Sequence, residues 1–233
     1  MRWISIVRVT CALSATLALA SCGSSGFDSS GGQDSLTMQF ITFSGEGIDQ
    51  QDLVGNTDAD VDVCQSLCNV GGDLVDIEFE TFTQTRANAI FMNMGASNIL
   101  LDKYTVSIPG SGVPPRTASI AAILQGGTCS NSSAQCGSDS DCGLLGTCDH
   151  VETSVEVLLF DFVTKELVRG DHRCPSVNFE TGLIDPGNVV PQTYQTNVTF
   201  SGSDASGKRF TVKTGLVAGF FDANNCQNSG SGN

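Results

Sequence analysis

Tyr194-Gln-Thr-Asn-Val-Thr-Phe200 is followed by Ser201-Gly-Ser-Asp-Ala-Ser-Gly-Lys208 and then by Arg209-Phe-Thr-Val-Lys-Thr-Gly-Leu216. In the first stretch Tyr194, Thr196, Val198 and Phe200 alternate with Gln195, Asn197 and Thr199. In the last, Phe210, Val212, Thr214 and Leu216 alternate with Arg209, Lys213 and Gly215. A period of two residues is that of a strand with one face buried. Between them, Asp204 and Ser206 followed by Gly207 supply turn chemistry, since glycine takes positive φ without steric cost. Segments 194–200 and 209–221 are therefore predicted to form a β-hairpin.

Working outward, the same alternation recurs. Val75, Ile77 and Phe79 alternate with acids, and Tyr104, Val106 and Ile108 alternate with polar residues. Further strands are expected at 36–43, 86–94, 98–108, 117–124 and 152–162. Gly95 to Asn98 reads as a turn, and Pro109, Pro114 and Pro115 end pairing after another strand. The run Val155 to Phe162 is too apolar for a one-sided strand, so a central place with both faces covered is expected. The best helix signal is 58–69, where Asp58, Asp60 and Asp62 precede Val63 and Leu67 and would complement the helix dipole. About eight strands separated by turn signals give an all-β fold, a sandwich with a barrel as competitor. The ending from Asn197 to Val212 resembles the last hairpin of immunoglobulin-like domains in bacterial surface lipoproteins. That resemblance implies an immunoglobulin-like β-sandwich and carries no functional residue across.

The leader tells where the chain goes. Arg2 and Arg8 precede an apolar run ending in Leu19-Ala20-Ser21-Cys22-Gly23. After Arg8 the run is about a dozen residues, the length of a signal-peptide core and short of a spanning helix. Leu19 to Cys22 resembles the lipobox of bacterial lipoproteins. The resemblance implies cleavage before Cys22, acylation of Cys22 and membrane anchoring through its acyl chains, and Gly23 is similar to outer-membrane sorting signals. The expected organisation is a signal peptide 1–21, a lipidated cysteine and flexible tether 22–35, a β-sandwich 36–226 with a cysteine-rich insertion 125–150, and a disordered tail 227–233. The tether has an r.m.s. reach of about 20 Å.

The chain carries 11 Lys and Arg against 25 Asp and Glu, a net charge of −14. Loss of the leader removes two of those cations and brings the balance to −16. Such a charge repels nucleic acid and anionic head groups. Apart from Cys11 and Cys22, eight cysteines remain: Cys64, Cys68, Cys129, Cys136, Cys142, Cys148, Cys174 and Cys226. An even number in an oxidising compartment reads as disulfides. Cys136 to Cys148 resembles small cysteine-rich modules of secreted proteins, a loop stapled by two bridges. Three pairings are open to the four thiols of 129–148, of which the alternating one (129–142, 136–148) is preferred. Cys64, Cys68, Cys174 and Cys226 then pair among themselves. A thiolate–metal site with His150 or His172 is the alternative, but zinc wants paired C-x2-C spacings and none occur.

Asn56, Asp58, Asp60 and Asp62 fall at alternate positions, as in a calcium loop. Val61 stands where the loop needs glycine and Leu67 where it needs glutamate, so calcium is a weak expectation and a solvated acidic turn the plainer one. Motifs of serine hydrolases, zincins and P-loops are absent from the sequence, as are redox C-x-x-C pairs. The expected function is a non-enzymatic binding, adhesion or assembly module at the outer membrane, with a protein or glycan partner in the envelope and the 125–150 loop and edge strands as contacts. An accessory scaffold subunit of an envelope export or electron-transfer complex comes second, and a carboxylate-based glycan hydrolase third.

Overall fold

The computed structural model describes residues 37–51, 56–64, 84–178 and 180–223. The leader, Cys22, the tether, the 75–80 alternation, Cys68, Cys226 and the tail 227–233 lie outside the described residues. Strands predominate among the described residues: β1 Met38–Ser44, β2 Ile48–Gln51, β3 Asn56–Asp62, β4 Thr85–Asn93, β5 Ile99–Ser107, β6 Arg116–Leu124, β7 Gly127–Cys129, β8 Gln135–Cys136, β9 Cys148–Asp149, β10 Glu152–Phe160, then helix α1 Phe162–Arg169, β11 Ser176–Asn178, β12 Leu183–Asp185, β13 Gln192–Asp204 and β14 Arg209–Phe221.

Two sheets share one core. The first has the order β1-β4-β10, the second β2-β3-β14-β13-β5-β6. The hairpin β13–β14 is the longest pairing, in register from Gln192↔Phe220 to Ser203↔Arg209. Its turn is held by Asp204, whose Oδ1 accepts hydrogen bonds from the Ser206 and Lys208 amides at 2.9 and 3.0 Å. Those bonds, with the Ser206 hydroxyl, hold its carboxyl below the usual carboxylate range. Alternate residues of each strand point inward, and a register shift between Phe40 and Thr42 of β1 turns both Phe40 and Phe43 inward, where they and Phe91 of β4 meet Phe200 of β13. Phe91 stands edge-on to Phe200 at 4.8 Å between centroids, and Phe40 lies 4.8 Å from Phe43. This cluster joins the sheets, and such ring pairs add about 1 kcal/mol each beyond area burial.

Three expectations need correction. Residues 58–62 belong to a strand, not a helix. Asp58 and Asp60 lie on the outer face and Asp62 is half-buried at the strand's end, while Ala59 and Val61 are buried, and β3 runs parallel to β14 from Val217↔Asp58 to Phe221↔Asp62. Pairing with a strand over 150 residues later in the chain overrides the local acid-first helix signal. The α-helix instead begins at Phe162, inside the expected strand 152–162. Asp161 caps it by accepting the Thr164 amide at 2.8 Å, and Gly170 ends it at φ 61°. Finally, β10 keeps one face in water, with Glu152, Ser154 and Glu156 exposed, and among the described residues it pairs only with β4. Its apolar run has a different cause. A register shift between Leu158 and Phe160 turns Leu159 and Phe160 inward in succession. Side chains from the other sheet bond its backbone near the C-terminal end. The Tyr104 hydroxyl accepts the Leu158 amide at 2.9 Å and donates to the Leu158 carbonyl at 3.3 Å, and the Arg116 Nη2 donates to the same carbonyl at 2.5 Å.

The two ends of the body differ. One carries the β4–β5 turn, the β13–β14 turn and the cysteine-rich insertion between β6 and β10. The other carries α1, the β11–β12 hairpin and the Cys64–Cys174 disulfide. There Lys165 is 2% exposed and Asp62 accepts the amides of Cys64 and Ala223. Burial pushes the Lys165 amine down, with Asp62 opposing, and burial pushes the Asp62 carboxyl up against its backbone hydrogen bonds.

Candidate functional site: the disulfide-stapled insertion

The insertion rises from Leu124 and returns at Glu152. Its foot rests on the β4–β5 turn. Gly127 N–H donates to the Gly95 carbonyl at 3.0 Å, and Gly126 N–H donates to Asn98 Oδ1 at 2.9 Å. Gly126 must be glycine here, since a Cβ would come within 2.3 Å of the Ala96 carbonyl oxygen. The clamp beneath is Asn93, fully buried at 0% exposure. Its Nδ2 donates to the carbonyls of Ser97 at 2.8 Å and Leu124 at 3.1 Å, while its Oδ1 accepts the Gly95 amide at 2.9 Å. The Asn93 carbonyl faces His150 Nδ1 at 2.7 Å, and since a carbonyl only accepts, Nδ1 carries the proton.

Above the foot, β7 pairs with both β8 and β9 in a three-stranded ribbon. Cys129 bonds Cys142 and Cys136 bonds Cys148, the alternating pattern. Cys129, Cys136 and Cys142 are buried together as a sulfur core in place of an aliphatic one. The sulfur atoms of Cys129, Cys136 and Cys142 lie within 4.8 Å of one another, yet all are in disulfides and offer no thiolate to a metal. Polar side chains finish the frame. Asp139 Oδ1 accepts the Cys148 amide at 2.7 Å, Asp141 Oδ2 accepts the Gly137 and Ser138 amides at 2.9 and 3.0 Å, and Asn131 Nδ2 donates to the Cys142 carbonyl at 2.9 Å. The bonds from Gly137 and Ser138 hold the Asp141 carboxyl below the usual carboxylate range.

At the top of this frame stands Gly143-Leu144-Leu145-Gly146. Leu144 is 104% exposed and Leu145 93%. Two neighbouring leucines held fully in water on a doubly bridged loop gain nothing for folding, and such exposed apolar groups mark contact surfaces. Nearby on the outer face of the larger sheet, Leu100 of β5 and Ile123 of β6 sit opposite one another, both exposed. The double-glycine frame around the leucines was readable in the sequence, but their exposure was not.

The other predicted residues are scattered. Cys64 bonds Cys174 at the far end of the body, where Arg169 Nη1 lies 3.1 Å from Cys174 Sγ. Asn56, Asp58, Asp60 and Asp62 fall along β3, where alternate residues are spaced about 7 Å apart rather than converged by a loop. Two shallow clefts, lined by Val168, Arg169 and His172 and by Arg116, Leu159 and Thr164 respectively, each enclose only about 10 Å³, room for a single water. Comparison of the chain with known protein families, curated proteins and solved structures returns no match.

Proposed function

We propose that this chain is an envelope lipoprotein, acylated at Cys22, whose immunoglobulin-like β-sandwich serves as a non-enzymatic binding or assembly module. Strand order supports the immunoglobulin-like reading. The pair β1-β4-β10 and β3-β14-β13-β5-β6 corresponds to A-B-E against A′-G-F-C-C′, with the parallel β3–β14 pairing in the A′–G position. In that correspondence the turns 94–98 and 205–208 and the insertion sit at the end where loops carry recognition in such domains. The observation that carries the functional reading is the exposed Leu144–Leu145 tip on a rigid double staple. A contact surface so pre-organised loses little conformational entropy on binding.

Hydroxyl-radical footprinting tests the reading. In cells carrying the acylated protein, Leu144 and Leu145 are shielded; in the released Cys22→Ser form they are oxidised. Equal oxidation of the two forms, or absence of palmitate label on the wild-type chain, refutes it. Retention by an envelope partner that persists after detergent extraction would favour the scaffold-subunit version over free adhesion.

A further inference from the structure

The chain enters the body at Thr37, and it does so at the insertion-bearing end. The Thr37 carbonyl accepts the Met94 amide at 2.7 Å, and its Cγ2 packs so close to Gly95 that a Cβ there would lie 2.5 Å away. Gly127 donates to the carbonyl of that same Gly95. Thr37, the first described residue after Cys22, and the foot of the insertion therefore rest on one turn. The helix α1 and the β11–β12 hairpin, with exposed Leu167 and Leu183, lie at the opposite end.

We propose that in the acylated protein this end faces the bilayer and that Leu144 and Leu145 contact its lipid surface as a second foothold beside the acyl chains. The inference rests on the Cys22 reading above. The 14 residues between Cys22 and Thr37 reach about 20 Å, so the tip is never far from the plane in which the anchor sits. Tethering has already brought the two surfaces together, at an effective concentration in the millimolar range for a short flexible linker. Burying two fully exposed leucines then favours contact by a factor on the order of a hundred. The disulfide frame holds both side chains in place beforehand, so little is lost in ordering them.

Charge selects the kind of lipid. Between Arg116 and Lys165 the chain has no lysine or arginine, and the insertion carries Asp139, Asp141 and Asp149. Anionic head groups are repelled by such a tip, and zwitterionic ones are not. The outer face of the larger sheet, turned sideways to the membrane, is left free.

The test uses the full acylated chain with an environment-sensitive fluorescent residue at position 144 or at position 183. It is reconstituted in protein-free phosphatidylcholine vesicles containing brominated acyl chains. Flotation with the vesicles first establishes the anchor; a chain that fails to float overturns the lipoprotein reading itself. With the anchor established, fluorescence at 144 is quenched and that at 183 is not. The quenching is lost with Leu145→Asp at unchanged melting temperature, and it weakens when phosphatidylglycerol replaces part of the phosphatidylcholine. A floating protein whose 144 probe stays in water, or whose two probes quench alike, overturns the proposal. So does shielding at 144 seen only in native envelopes, which would make the occupant a protein.

Discussion

Asn93→Ala should strongly destabilise the body although it removes no apolar contact surface from the core. The side chain makes three hydrogen bonds, to Ser97, Leu124 and Gly95, and is 0% exposed. Alanine leaves two carbonyls and one amide without it. The Leu124 carbonyl is bonded where both partners are buried, so losing its donor costs about 1–2 kcal/mol, and the part-buried Ser97 and Gly95 groups, which water can reach, about 1 kcal/mol each. The sum is about 3–4 kcal/mol. For a domain of this size that lowers the melting temperature by about 6–16 °C. Urea unfolding of the oxidised protein gives the number directly. Asn93→Asp is the sharper variant, because a carboxylate keeps the acceptor for Gly95 but turns both donors into repulsion against carbonyls; it should cost at least as much as alanine at neutral pH. Amide exchange of Gly95, Gly126 and Gly127 should quicken in both. A loss below about 1 kcal/mol for alanine, or an aspartate variant as stable as wild type, would show that Asn93 does not clamp the insertion to the turn.

Replacing Cys64 and Cys174 together by alanine opens a 110-residue loop and should cost about 4–5 kcal/mol by the chain-entropy relation, read from denaturant midpoints. Asp161 works against burial, but its bonds with Thr164 and the nearby Arg116 hold its carboxyl below 3.8. A depressed folded value means its stabilisation is fully present above the ordinary aspartate range and is lost as pH falls through the lower folded value. Asp161→Asn should therefore be less stable than wild type at pH 7 and converge with it in acid, and a gap independent of pH would contradict the assignment. Tyr104→Phe removes the plug on Leu158 and should cost about 1–3 kcal/mol. A thermal melt with and without calcium should show no shift, since β3 spreads its carboxylates along a strand.

What could be read in advance was what short-range pattern controls. The alternation from Tyr194 to Leu216 located the long hairpin because both strands and the turn lie together in sequence. The cysteine spacing located the stapled loop. The strand β3 was misread although its period of two is plain, with Asp58 and Asp60 outward and Ala59, Val61 and Val63 buried. Its acids happened also to suit a helix start, and its partner β14 lies too far along the chain for any local rule to find. The helix at 162–169 had its own signals, Asp161 before it and Gly170 after it, but the strand pattern of 152–160 ran on into them. Asn93 had no signal at all. A lone asparagine near a turn is common, and only the packing of β4, β5 and the insertion foot makes it a buried three-way clamp.

The order in which the cysteines emerge has a consequence for biogenesis. A chain threaded across a membrane from its N-terminus presents Cys64 long before Cys174, and Cys129 and Cys136 before either of their mates. An oxidant acting on whatever thiols are at hand joins neighbours, and every bridge among the described residues joins non-neighbours. For an exported chain, early bonds between neighbours would then have to be undone by thiol–disulfide exchange before this body could form. Yield of the mature chain should accordingly depend on a bond-shuffling catalyst, and not on oxidising power alone.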